Sequence, residues 1–398
     1  MRKFYYLTLI AILLAGCHVQ QISTSLIYNK TTIPPHIEHR IDSLINDAIS
    51  KHAMPGCRVL VAKDGYVTLD KAYGYLSYDS TQRVQQSTLY DLASVTKIAA
   101  SSLLMMKLYE DSLINLDTPL SQLFDSIADN GATLRDALAH QAGFKPGVYF
   151  RTAEPTLWKS FGTESYNIAD AQQIIRNRIL HQPMMERGKY LYSDMGFFLY
   201  PEFARKYYNM DFDEFLNRKF YQPLGISPLF NPIEKAPDAS IAPTENDTLW
   251  RRRIVCGTVH DEGAALMGGV SGHAGLFATA NDIAVIMQML LNGGEYGGIH
   301  FLKPETIQLF TSQAFDGNRR GLIFDKPPLD TAINGTPSKL SSRRSFGHTG
   351  FTGPLVWADP ENNLLLIFLC NSTFPNRETM LTKLNVRTQL HDILYQLY

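Results

Sequence analysis

Cys57-Arg58-Val59-Leu60-Val61-Ala62-Lys63-Asp64-Gly65-Tyr66-Val67-Thr68-Leu69 is the stretch that decides how the chain begins to fold. The stretch beginning Cys57-Arg58-Val59-Leu60-Val61 alternates like a strand, and Asp64-Gly65 is a residue pair suited to a hairpin turn into Tyr66-Val67-Thr68-Leu69. A β-hairpin is therefore predicted. Upstream, Ile37, Ile41, Leu44, Ile45, Ala48 and Ile49 recur at helical spacing over residues 36–52. The far end mirrors this opening: Gly353 to Trp357 and Asn363 to Cys370 read as two strands joined through Asp359-Pro360-Glu361-Asn362, with a terminal helix from about Leu384. The apolar run Leu364 to Leu369 falls far short of the about 20 residues of a membrane-spanning helix and reads as a buried strand. Between the two ends, over roughly residues 100–250, the pattern is helical and broken by Gly and Pro loops. The fold class that follows is α+β, an α/β sandwich. One antiparallel sheet is built from both termini and flanked by helices, with a mainly helical insertion between them.

At the start of the chain, Arg2 and Lys3 precede an apolar run from Phe4 to Leu14 that closes in Leu14-Ala15-Gly16-Cys17. Residues 1–16 read as a signal peptide. The small-small-Cys ending resembles the lipobox of bacterial lipoproteins, so Cys17 is expected to carry lipid and hold the protein on a membrane face of the bacterial envelope. A plain secretion signal with an incidental Cys17 is the other reading. Residues 17–35 are expected to form a tether, with folding from residue 36 to 398. A composition of 45% hydrophobic and 19% charged residues matches a globular chain and leaves little room for a disordered tail. Net charge is −1 and the longest basic run is Arg251-Arg252-Arg253, which argues against nucleic acid as a partner. With Cys17 set aside, Cys57, Cys256 and Cys370 are an odd, widely spaced set that implies no disulfide scaffold, and core packing is expected of Cys57 and Cys370.

Three stretches carry residues suited to chemistry. In Asp91-Leu92-Ala93-Ser94-Val95-Thr96-Lys97-Ile98-Ala99-Ala100 a serine precedes a lysine by three residues at the start of an apolar, helix-patterned run. Ser94 and Lys97 would share one helix face, near N–H groups that favour developing negative charge, and burial would lower the lysine pKa and make it a base. Tyr192-Ser193-Asp194 supplies a phenol that cationic neighbours would hold as phenolate for proton transfer. Gly347-His348-Thr349-Gly350-Phe351-Thr352-Gly353 precedes the final strand pair; its glycines admit a close backbone approach. Thr349 offers a hydroxyl, His348 a donor or partial positive charge, and the Phe351 N–H could complete an oxyanion hole with that of Ser94. Taken singly, each stretch has a plainer reading: an N-capping serine before a surface lysine, a core tyrosine, a glycine-rich strand entry.

Together, and in this order, Ser-x-x-Lys, Tyr-Ser-x and a basic residue-Thr-Gly resemble the penicillin-recognising serine hydrolases, the group of class C β-lactamases, D-alanyl-D-alanine carboxypeptidases and related esterases. The similarity runs from about residue 36 to the C-terminus. It includes Thr133 to Phe144, which resembles the segment leading to the active-site rim, and Phe220 to Ile226. Pro243-Thr244-Glu245, Gly257 to Ala264 and Gly268 to Phe277 resemble a branch of bacterial envelope hydrolases of this kind. The resemblance implies Ser94 as nucleophile, Lys97 and Tyr192 as proton handlers, His348 as a catalytic partner, and Asp194, Thr349, Gly350 and Phe351 as substrate-binding residues. It implies acyl transfer through an acyl-enzyme on a cell-wall peptide or another small acyl substrate, without a cofactor. A β-lactamase or esterase on the same site, or a non-catalytic muropeptide-binding module, are the alternatives. Two departures stand out: His348 takes the place of a lysine and Asp194 that of an asparagine. The histidine resembles the D,D-peptidases of the group, while the added carboxylate makes efficient β-lactam turnover doubtful. Arg343 and Arg344 stand just upstream as residues that could reach a substrate carboxylate. His260-Asp261-Glu262 and His273 lie close in sequence but lack metal-ligand spacing, and anchoring of loops is expected of them rather than a metal site.

Overall fold

The computed structural model describes residues 24–28, 32–330, 337–378 and 380–397. The proposed signal peptide, Cys17 and most of the tether lie outside the described residues.

The hairpin forms as predicted: β1 (Gly56–Lys63) returns as β2 (Tyr66–Gly74) through Asp64 and Gly65, both at positive φ of 53° and 79°, which is what a tight primed turn requires. The three late strands are β3 (Phe346–Thr349), β4 (Leu355–Asp359) and β5 (Leu364–Cys370). All pair antiparallel in the order β3-β4-β5-β1-β2, so the two ends of the chain meet at β1 and β5, where Cys57 faces Cys370 and Leu60 faces Ile367. Both thiols are buried and free, in keeping with core packing.

Every residue of β5 is buried, because both faces of the sheet are covered. Successive side chains point to opposite faces. Val59, Val61, Leu366 and Phe368 meet Ile37, Ile41 and Ile45 of helix α1 (Pro35–Ser50) and Leu390 and Leu394 of the terminal helix Val386–Tyr395. On the other face Leu60, Ala62, Leu365 and Ile367 join a larger core with helix α2 (Ser102–Glu110) and helix α3 (Ala280–Leu291). Between α2 and residue 224 the chain runs through short helices, the longest Ile168–Leu180. Among the described residues no helix is long and apolar enough to cross a membrane.

The predicted helix start at Ser94 is less regular than expected. Ala93–Val95 form a 3-10 turn, Lys97–Ser101 a wider π-helical turn, and only from Ser102 is the helix α. The cause is competition from side chains. The Asp91 carboxylate accepts from the Ala93 N–H (2.8 Å) with Ala93 at φ 45°, Ser102 Oγ donates back to the Ile98 carbonyl (2.6 Å), and Ser101 Oγ donates to the Gly272 carbonyl (2.7 Å). Wider turns of this kind often mark functional segments.

Candidate active site

The segment carrying Ser94 is fixed from three sides. Tyr90–Asp91 pair with Leu276–Ala278, the Leu92 N–H donates to the Leu276 carbonyl (3.0 Å), and the Thr352 hydroxyl donates to the Asp91 carbonyl (2.7 Å). A Cβ on Gly350 would stand 2.6 Å from the Leu92 carbonyl oxygen, so only glycine lets the turn after β3 approach so closely. This contact brings the Thr349–Phe351 turn to the backbone that carries Ser94.

Tyr192 arrives by a separate route. Residues 188–194 pair with the 140–146 loop: the Leu191 N–H donates to the His140 carbonyl (2.8 Å), the Ser193 N–H to His140 Nδ1 (3.2 Å), and Ser193 Oγ to the Lys145 carbonyl (2.6 Å). The His140 ring lies tilted against the Tyr192 ring with centroids 4.5 Å apart.

These routes converge on one oxygen. Lys97 Nζ lies 3.0 Å and Tyr192 OH 2.9 Å from Ser94 Oγ. Lys97 is fully buried; its ammonium donates to Ser94 Oγ and to the His273 carbonyl (3.1 Å) and forms an ion pair with Asp194 Oδ1 (2.7 Å). The expectation of a lowered lysine pKa is therefore overturned. Burial pushes it down, but the Asp194 charge and the hydrogen bonds outweigh burial and hold Lys97 above its ordinary value. Nor is Tyr192 held as phenolate. Burial raises its pKa, and the opposing pull of Lys97 and Arg320 does not cancel that. Ser94, Tyr192, Asp194 and Thr349 remain partly exposed and Phe351 is exposed.

His348 lies beside this group, its ring centroid 6.0 Å from that of Tyr192. Burial lowers its pKa well below the ordinary value, with the positive charges of Arg320 and Lys97 acting in the same direction. Of the two roles expected there, a donor or a partial positive charge, burial opposes the charge, while the ring places Nδ1 2.7 Å from the Thr349 carbonyl. The cation is Arg320, which the sequence did not single out: it is buried, and its guanidinium carbon sits 5.1 Å from the Tyr192 ring centroid. His140 was also missed, although it lies inside the rim-like segment Thr133 to Phe144. Arg343 is tied to the Pro328 and Leu329 carbonyls.

The His260 and His273 cluster does structural work. Asp261 caps the helix Glu262–Leu266 through the Ala264 N–H (2.8 Å) and holds His273 Nε2 (2.9 Å), whose backbone carbonyl receives Lys97. His260 pairs with Glu245 (3.0 Å), its ring stacks on Phe351 (5.6 Å), and its N–H donates to the buried Asp91 carboxylate (2.6 Å). Among the described residues no group of three or more His, Cys, Asp and Glu side chains forms a metal cage.

A catalytic-type serine touched by a lysine and a tyrosine on a sheet built from both termini agrees with the comparisons to known proteins. The family model described as Beta-lactamase matches residues 41–390. A Salmonella gallinarum protein named "Putative D-alanyl-D-alanine carboxypeptidase" is 31% identical over 368 residues, covering 84% of this chain and 82% of that protein. A penicillin-binding protein homologue from Caulobacter crescentus superposes with TM-score 0.68 at 20% identity, covering 92% of this chain and 99% of the other. EstCE1, described as a hydrolase with promiscuous acyltransferase activity, superposes with TM-score 0.67 at 20% identity, covering 90% and 98%. With the Ser-x-x-Lys, Tyr-Ser-x and His-Thr-Gly stretches gathered around one serine, the chain belongs to the beta-lactamase family, the serine hydrolases related to β-lactamases and penicillin-binding proteins.

Proposed function

We propose that the protein is a D-alanyl-D-alanine carboxypeptidase-like peptidase that cleaves cell-wall peptides through an acyl-enzyme on Ser94. The observation that carries the reading is the double contact on Ser94 Oγ, from Tyr192 OH at 2.9 Å and Lys97 Nζ at 3.0 Å. In the reactive form Tyr192 has lost its proton while Lys97 keeps its own. Ser94 Oγ then attacks the peptide carbonyl carbon as its proton passes to the Tyr192 oxygen, and the carbonyl electron pair moves onto oxygen. The Ser94 and Phe351 N–H groups receive that oxyanion, an assignment supported by the Thr352 to Asp91 bond and the Gly350 to Leu92 contact. Tyr192 next protonates the leaving amine of the terminal D-alanine, and water releases the acyl group. Thr349 and Gly350 line the approach, and Asp194 sets the charge on Lys97.

The choice of peptide over other acyl donors is supported by the name of the Salmonella relative and by a histidine in the third motif. The same relative, with the lipobox-like Leu14-Ala15-Gly16-Cys17, supports a place in the bacterial cell envelope with a lipid anchor at Cys17. An esterase is the second reading, because a neutral His348 gives a substrate carboxylate less attraction than a lysine would. Release of D-alanine from an acylated Lys-D-Ala-D-Ala tripeptide tests the assignment. Ser94-dependent release is expected; hydrolysis of simple esters without any D-alanine release would replace the peptidase by an esterase.

A further inference from the structure

Arg320 stands in a loop clamped between the two walls of the site. Asn318 Nδ2 donates to the Ala139 carbonyl (2.9 Å) and to Gln141 Oε1 (3.0 Å), and the Ile323 N–H to the Leu138 carbonyl (2.7 Å). On the other side Asp325 and Gly347 exchange two backbone hydrogen bonds, 2.8 and 3.0 Å, at the start of β3. The loop thus braces the His140 segment against the third motif.

The charge that this loop delivers is weakly neutralised. Asp325 is the carboxylate beside it, but it is shared: Arg319 takes one oxygen at 2.7 Å, leaving Arg320 Nε at 3.6 Å from the other. Arg320 Nε also lies 3.3 Å from Tyr190 OH, and Nη1 is buried without a hydrogen-bond partner. The guanidinium lies over two rings, with its carbon 5.1 Å from the Tyr192 centroid and 5.8 Å from that of Tyr190. The other groups around Tyr192 are Lys97, 5.1 Å from the ring centroid, the Asp194 carboxylate, and the rings of His140 and His348, both held neutral by burial and by the cations beside them. Two cations and one carboxylate therefore act on the phenol.

We propose that Arg320 is a positioning residue for acylation: its guanidinium, held over the Tyr192 ring by the 318–325 loop, stabilises the Tyr192 phenolate that then accepts the Ser94 proton and becomes a neutral phenol. Arg320 exchanges no proton itself. It acts through its field on the phenol oxygen, and the bond changes are those of acylation. The inference rests on the acyl-enzyme reading of Ser94 and deepens it.

The test is the rate at which the full-length chain is labelled by an alkyl fluorophosphonate, in which Ser94 Oγ displaces fluoride at phosphorus and must lose the same proton. Rates are followed from about pH 6 to about pH 10, with thermal unfolding of each variant measured alongside. A unit charge about 5 Å away supports an upward move of the profile by about one to two pH units in Arg320→Gln, or a loss of about ten- to a hundredfold near neutral pH. Arg320→Lys is expected to keep the wild-type profile, and 3-fluorotyrosine at position 192, a more acidic phenol, to recover the rate lost in Arg320→Gln. A folded Arg320→Gln protein with an unmoved profile overturns the inference. So does a loss equal at every pH that fluorotyrosine does not relieve, or a Lys variant that shifts as the Gln variant does. Wild-type labelling that does not depend on Ser94 would overturn the acyl-enzyme reading and this inference with it, whereas Ser94-dependent labelling with no effect of Arg320→Gln overturns this inference alone.

Discussion

Asp194→Asn removes the carboxylate that holds Lys97 charged, while the amide oxygen can still accept from the ammonium. At 2.7 Å and an effective dielectric constant of about 20, the charge pair is worth about 6 kcal/mol; with the Asp194 side chain 29% exposed, screening brings this to about 3 kcal/mol. Lys97 and Tyr192 respond in the same sense, because the Asp194 charge raises the pKa of both. The variant should therefore acylate about ten- to a hundredfold faster near neutral pH, where free base is scarce, with its pH–rate profile displaced downward. Stability should move the other way. A lysine whose pKa is raised on folding contributes stability that is fully present below its unfolded value of about 10.4 and is lost as pH rises through the folded value. The variant gives up about 3 kcal/mol of that contribution at neutral pH, read as a lower urea midpoint. The assays are the pH dependence of fluorophosphonate labelling and urea unfolding at fixed pH. A profile that coincides with wild type, or moves upward, would refute the electrostatic role given to Asp194.

Three further outcomes follow from the same geometry. Tyr192→Phe keeps the ring between His140 and Arg320 but loses the hydroxyl on Ser94 Oγ, so labelling should slow by about 10²- to 10⁴-fold with thermal unfolding little changed; a variant as fast as wild type would remove Tyr192 from proton transfer. Burial keeps His140, His348 and His391 neutral in the fold, the last pushed down to about 3, whereas an unfolded histidine takes up a proton below about pH 6.5. Stability should thus fall as pH drops from about 6.5 to about 5, by up to about 1.4 kcal/mol per pH unit for each histidine, and urea midpoints that stay flat over this range would contradict it. Thr352→Val leaves the buried Asp91 carbonyl without its 2.7 Å donor and loosens the turn that carries Phe351. About 1 kcal/mol of stability should be lost together with labelling rate, and unchanged values of both would argue against the brace.

The parts of the fold written in local pattern were legible. Asp64-Gly65 announces its hairpin, the isoleucines of α1 announce the face that covers the sheet, and the all-apolar β5 announces burial on both sides. Order and spacing of the three motifs also located Ser94, Lys97, Tyr192 and His348, which the fold draws together from distant points in the chain. What pattern could not convey was charge state. Burial alone predicts a depressed lysine pKa, but the sign is reversed by a carboxylate 97 residues away in sequence and by the Tyr192 hydroxyl beside it. Arg320 went unnoticed for a related reason: Asn318-Arg319-Arg320-Gly321 looks like any polar loop, and only its clamping to residues 138–141 and to Gly347 turns it toward the site. The 3-10 and π-helical turns around Lys97 likewise depend on partners as remote as Gly272.

The most direct test of the central claim is intact-mass spectrometry of the full-length chain incubated with a fluorescent penicillin, with Ser94→Ala in parallel and the adduct followed over time. One covalent adduct per chain is expected, absent in Ser94→Ala and slow to hydrolyse, since Asp194 keeps Lys97 protonated and withholds a base from the attacking water. An adduct that persists in Ser94→Ala, or one carried on another residue, would contradict it.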